Sequence, residues 1–258
     1  MGAVVFDRQI TGEGTPEAEW QTWPGLGQLS RIALDELVPP GRRAVVVAPH
    51  PDDEVIAFGG LLALLAARRS ACHVIALTDG EASHPGSRNW PPGLLAKARI
   101  GESLAGLRQL GLPPHSQSRL SLPDGRLAAC DDRLAQRLAE LLRPGDVVFS
   151  TWQLDGHPDH EAAGQATARA CSQVVCRHWQ APVWMWHWAR PGDARVPWSH
   201  MARLALPDNA VRQKIAALAT HQTQLAPQDT GAPAVLPGFA LARMLRGFEY
   251  FMPAGNAS

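Results

Sequence analysis

The chain is poor in lysine, in tyrosine and in excess charge of either sign. Lys97 and Lys214 are its only lysines, and 24 basic residues balance 24 acidic ones. A protein that neutralises many phosphates needs a basic surplus, so a strongly basic nucleic-acid binder is excluded. Long hydrophobic runs are missing as well. The longest nearly apolar stretch, 55–67, is broken by Gly59-Gly60, whereas a bilayer span needs ~20 residues. Residues 1–10 carry Asp7 and Arg8 and lack an apolar core and a small-residue cleavage pattern. No signal peptide or membrane anchor is therefore expected, and the expected location is cytoplasmic. Cysteine is sparse, at 72, 130, 171 and 176, with no CxxC pair. Free buried thiols are expected. No G-x-G-x-x-G follows the first predicted strand and no Walker pattern occurs, which argues against a nucleotide-binding protein.

What is present suits one sizeable core. The chain has 258 residues, 45% of them apolar and 19% charged, within the range of one α/β domain. Glycines and prolines up to Pro39-Pro40-Gly41 punctuate the start. Residues 1–40 are predicted as an extended arm with one short helix near 28–36, and 41–258 as a single domain. Strands are predicted at 44–48, 71–78, 146–151 and 182–188. Helices are predicted at 56–69, 94–110, 132–142, 158–175 and 208–225. Strands alternating with helices imply right-handed crossovers. The expected fold is α/β and Rossmann-like, a mainly parallel sheet with helices on both faces.

Ligands of open α/β sheets sit beyond the carboxyl ends of strands. The first strand is followed by His50-Pro51-Asp52-Asp53-Glu54 and the second by Asp79-Gly80-Glu81. The third is followed by Trp152 and then Asp155-Gly156-His157-Pro158-Asp159-His160. Either His/Asp loop alone is ordinary helix-start chemistry. Two at one sheet edge can converge. A catalytic zinc takes three protein ligands and keeps one position open, and imidazole with carboxylate suits zinc or iron(II). His50 and Asp53 can reach one ion, and a histidine of the third loop would complete the set. Asp52, the neighbour of Asp53, can face a water whose pKa the metal lowers. A second histidine could serve the oxyanion or the leaving amine. The pattern predicts a metal-dependent hydrolase.

The segments Ala48-Pro49-His50-Pro51-Asp52-Asp53-Glu54 and Gly156-His157-Pro158-Asp159-His160 resemble the two signature motifs of the PIG-L/LmbE-like zinc N-deacetylases. The similarity runs from about 44 to 225. It includes Thr78-Asp79-Gly80-Glu81, Arg99-Ile100-Gly101-Glu102, Leu110-Gly111, Pro123-Asp124-Gly125 and Ala216-Ala217-Leu218 through His221 and Gln224. The resemblance implies removal of an acetyl group from an N-acetylglucosamine-type amino-sugar or its conjugate, with one divalent metal, zinc or else iron(II). It implies His50, Asp53 and His160 as metal ligands, Asp52 as general base and His157 at the oxyanion. It implies Arg99 and Asp124 at the substrate. The partner is then a small amino-sugar or glycoconjugate, with room for a homo-oligomer. One departure stands out: some relatives carry Tyr where this chain has Asp155, and the sole tyrosine here is Tyr250. Asp155 is then either spare or a substrate contact.

Plainer roles are expected elsewhere. Glu54 should support a helix start, Asp79 a turn or the site, His73 a strand, and His221 the core or the site lining. Trp184, Trp186 and Trp188 alternate like a packed sheet face, which leaves Trp152 and Trp90 as candidates for stacking on a sugar. The rival functions are hydrolysis of another amide and a non-catalytic binder, and the retained Asp52 speaks against the binder.

Overall fold

The computed structural model describes residues 8–254. Eight strands form one open sheet in the order β1-β7-β8-β6-β5-β2-β3-β4. They are β1 (Ser30–Arg31), β2 (Ala44–Ala48), β3 (Cys72–Thr78), β4 (Gln117–Leu122), β5 (Val147–Thr151), β6 (Arg177–Ala181), β7 (Ala202–Ala205) and β8 (Phe248–Pro253). All pairings are parallel except those of β8, which runs antiparallel to both β6 and β7. The expected mainly parallel α/β sheet is what the chain forms.

The central strand shows why the sequence reads this way. Val46, Ala44 and Ala48 of β2 enter one apolar layer, while Val45 and Val47 enter the layer on the opposite face. A strand covered on both faces has no polar side, so it reads as a continuous apolar run. Helix Gly59–Ala67 packs in the first layer and helix Pro158–Val174 in the second. Chain order from β2 goes outward through β3 and β4, then returns to β5 and β6 on the other side. The sheet therefore reverses direction between β2 and β5. Crevices at such a reversal bind ligands.

Several elements differ from expectation. The strand expected at 182–188 lies earlier, as β6, and Met185–Trp188 is a helical turn. Pro182 has no N–H for a ladder, and the next three N–H groups go to Asp155 instead of a strand. Trp184, Trp186 and Trp188 therefore do not share a sheet face. The helix expected at 208–225 stops at Leu218 and resumes as Gln222–Leu225, with buried His221 between. Residues before 40 are less extended than their glycine and proline content suggests. They form helices Glu17–Thr22, Pro24–Gln28 and Leu34–Leu37 besides β1. Trp20 is fully buried there, 5.1 Å from Trp186 in a third apolar cluster with Trp152 and Tyr250.

A buried ion pair closes the sheet against its helices. Lys214 Nζ donates to Glu249 Oε1 at 2.7 Å. The same carboxylate accepts the N–H groups of Gly60 and Leu61 at 2.7 and 2.8 Å, in the first turn of helix Gly59–Ala67. Among the described residues no helix is long and apolar enough to cross a membrane. All four cysteines are free.

Candidate metal centre

The loops after β2 and β5 meet at the sheet reversal. His50 Nδ1 lies 3.1 Å and His160 Nε2 3.2 Å from Asp53 Oδ2. One donor atom from each of these three residues falls within 4.8 Å of the others. His160 opens helix Pro158–Val174 as part of its first turn, and Asp53 opens helix Asp53–Ile56. Asp53 and His160 thus each stand in the first turn of a helix. Asp52, just before, has φ of 146°, a conformation that costs a non-glycine residue of order 1–3 kcal/mol and clusters at functional sites. It turns its carboxylate away from that of Asp53 and towards Arg99.

Both imidazoles are backed by acids. The outer nitrogen of His50, Nε2, lies 3.2 Å from Asp159 and 3.2 Å from Asp124. The outer nitrogen of His160, Nδ1, lies 2.8 Å from Asp155. Carboxylates behind ligating imidazoles are the usual second layer of a metal site. Four carboxylates around two imidazoles leave the site rich in negative charge. A divalent cation between His50, Asp53 and His160 would balance it. Nitrogen and oxygen donors of this kind fit zinc or iron(II).

The proton equilibria respond to the same crowding. Burial opposes charge on His50, but Asp124, Asp159 and Asp53 outweigh it and hold its pKa well above the usual value. Burial likewise opposes charge on His160, and Asp53 and Asp155 push it up to about 9. Burial would raise Asp53, yet His160 and His50 hold it well below the carboxylate range. Asp52 goes the other way. Burial pushes it up to about 7, with Arg99 opposing and Asp53 adding to the rise. His157 is pushed down to about 3 by burial and by the neighbouring His160 and His50. Its Nδ1 accepts the N–H of Asp159 at 3.2 Å, so its single proton sits on Nε2.

These groups line a cleft of about 250 Å³. Asp52, Asp53, His50, His157, His160, Arg99 and Asp124 all reach it, so every site residue expected from the sequence comes to one place. Arg99 is 2% exposed and turned inward. It donates to the carbonyls of Gly80 and Pro51 at 2.9 Å and to Asp52 Oδ2 at 3.2 Å. Gly80 has φ of +70°, and a Cβ there would lie 2.2 Å from the guanidinium. Asp124 accepts the N–H of Ala82 at 2.9 Å.

Other expectations resolve as follows. Glu54 accepts from Ser103 Oγ and from the N–H of Asp52, bracing the loop as expected. Asp79 pairs with Arg119 outside the cleft, and His73 meets Ser118 within the sheet. His221 is fully buried and not among the cleft residues. Trp152 is 4% exposed and stacks on Trp188, and neither it nor Trp90 lines the cleft. The tryptophan that does is Trp184, joined by Ile56, Val183, Val235 and Leu236 in an apolar wall. Sequence reasoning missed that wall, because Trp184 was expected on a packed sheet face and Val183, Val235 and Leu236 come from segments without polar motifs. It also took Asp159 for ordinary helix-start chemistry and Asp155 for a spare or substrate-facing group. Both are buried behind the histidines.

An open, mostly parallel sheet with His/Asp loops paired at its reversal defines an α/β protein of the LmbE-like deacetylase fold. A family profile described as PIG-L: GlcNAc-PI de-N-acetylase matches residues 45–171. The chain is 28% identical over 266 residues to a 1D-myo-inositol 2-acetamido-2-deoxy-alpha-D-glucopyranoside deacetylase of Mycolicibacterium vanbaalenii, covering 83% of this chain and 92% of the relative. It is 29% identical to the Corynebacterium diphtheriae protein of the same name, covering 78% and 83%. A solved deacetylase from the teicoplanin biosynthesis pathway shares the fold at TM-score 0.63 and 19% identity, covering 82% of this chain and 97% of that one.

Proposed function

We propose that the chain hydrolyses the N-acetyl group of an N-acetylglucosamine-type amino-sugar or its conjugate, using one divalent metal, zinc, held by His50, Asp53 and His160. The observation that carries this reading is the meeting of those three donors beside Asp52 on one cleft. The deacetylase relatives support it. Zinc there would supply Lewis acidity to the amide carbonyl and to the attacking water. Asp52 accepts the proton of that water as it adds to the carbonyl carbon. Burial prepares it for the task, since a general base works best with a pKa near the working pH. His157 donates its Nε2–H to the oxyanion of the tetrahedral adduct. Collapse breaks the C–N bond, the amine takes the proton that Asp52 had accepted, and acetate leaves. Asp124 contacts the sugar from the cleft rim. Arg99, expected at the substrate, acts through Asp52, since its donors go to that carboxylate and to two carbonyls. The apolar wall favours a second reading at the same site, an amide whose conjugate carries an apolar group. The four free thiols suit a reducing cytoplasm.

The test is metal content together with turnover. The parent chain should bind about one zinc and release acetate from acetylated amino-sugars. His160→Ala should lose the metal, and Asp52→Asn should keep it and lose turnover by ~10²-fold or more. A parent chain that binds no metal, or an Asp52→Asn variant of parental activity, refutes the reading. Larger amides in the substrate panel separate the second reading from the first.

A further inference from the structure

Asp155 is fully buried, and its two oxygens face four polar hydrogens. Oδ1 accepts the N–H groups of Val183 at 2.8 Å and Met185 at 3.0 Å. Oδ2 accepts the N–H of Trp184 at 2.9 Å and lies 2.8 Å from His160 Nδ1. A carboxylate has no hydrogen to give. His160 must therefore present Nδ1–H to it, and the lone pair of a neutral ring is left on Nε2, the atom that faces Asp53. An imidazole that carries its proton on Nε2 cannot ligate through that atom.

We infer that Asp155 is a positioning residue that locks His160 in its Nδ1–H form for metal binding and, through the same carboxylate, pins the backbone of the cleft wall at Val183 and Trp184. The inference rests on the metal reading above and adds to it a residue and a coupling. One anchor serves the metal ligand and the wall, so neither can shift without the other. This explains why a residue at the rim of the second motif has no access to solvent. It also gives the aspartate here a task that a tyrosine hydroxyl could not perform, because one oxygen cannot take all four donors.

The isosteric change Asp155→Asn tests the tautomer argument, because an amide has one oxygen and one NH2. With the oxygen left on Val183 and Met185, the NH2 meets the hydrogens of Trp184 and His160. The ring then answers with its Nδ1 lone pair and carries its proton on Nε2. With the amide flipped, the NH2 opposes Val183 and Met185 and the wall loosens. Zinc affinity measured by chelator competition should fall by roughly 10- to 100-fold, the usual effect of removing such a partner. The cobalt(II) absorption of the variant should be weakened or altered in parallel. Circular dichroism and thermal unfolding of the metal-free proteins check that the fold is retained. A second measurement needs no variant. Side-chain 15N NMR of the zinc-loaded parent should show His160 bound through Nε2 with a proton on Nδ1. Parental zinc affinity in Asp155→Asn, or metal on Nδ1 of His160, overturns the inference and leaves the metal reading intact. A parent chain without metal overturns both.

Discussion

The pair Lys214–Glu249 should dominate the response of the fold to a single substitution. Both side chains are 2% exposed and their charged atoms are 2.7 Å apart. Lys214→Met removes the cation and leaves the carboxylate buried. Breaking a buried pair from one side costs about 3–5 kcal/mol. The structure places this change near the lower end, because Glu249 keeps the N–H groups of Gly60 and Leu61 at a helix start, where an anion is favoured. Glu249→Leu should cost more. It strands the ammonium and also removes the acceptor of two buried N–H groups, each worth about 1–3 kcal/mol when left unpaired. The double variant should cost less than the sum of the singles by up to about 3 kcal/mol, since it leaves no lone charge. Urea unfolding of the four proteins at neutral pH, with equal m values, reads these differences directly. A Lys214→Met cost under about 1 kcal/mol, or a strictly additive cycle, would refute the claim that both groups are charged and coupled.

Three further outcomes are expected. Arg99→Met should lower kcat while leaving KM near the parental value, since its guanidinium braces Asp52; a raised KM with unchanged kcat would return Arg99 to the substrate. Burial pushes His178, bonded to Ser150, down to about 3. Below pH ~6.5 the unfolded chain then binds a proton at this residue that the native one does not, so its contribution to stability should fall by up to about 1.4 kcal/mol per pH unit until the native pKa is reached. His178→Gln should remove that slope, and equal slopes in urea midpoints would show that the native ring is charged. We propose residues 41–258 as the single domain, with the preceding segment packed on it through Trp20. A chain trimmed to begin at residue 41 should keep its circular dichroism and bind metal at a lower Tm, while failure to fold would put that segment inside the domain.

The parts of this structure that were legible in the sequence are those with local causes. Strands β2, β3 and β5 are apolar because both faces are covered, and they fall within a residue of their expected bounds. The meeting of His50 and Asp53 with a histidine of the third loop was legible because both His/Asp loops follow strands at one sheet edge, while the resemblance singled out His160. Strand β4, reading Gln-Ser-Arg-Leu-Ser-Leu, was not, because an edge strand is only partly buried and lacks the apolar run. The 182–188 segment misled because its tryptophans alternate, while its conformation is set by a carboxylate nearly thirty residues earlier. Arg99 shows the same limit. Its residue type marks it as important, but only the surrounding carbonyls show which way it points.

Strand β8 has a consequence for how the chain is made. It lies between β6 and β7, yet it is the last of the eight strands to leave the ribosome. Until it arrives, β6 is an open edge and β7 with β1 has no place in the sheet. Glu249 arrives with it, so Lys214 waits 35 residues for its partner and the start of helix Gly59–Ala67 waits 189. A nascent chain stalled before residue 248 would expose an unpaired strand edge and a buried-type lysine, the features that draw chaperones and promote aggregation. The loops after β2 and β5 are made well before β8, so the sheet closes only after the cleft residues they carry are in the chain.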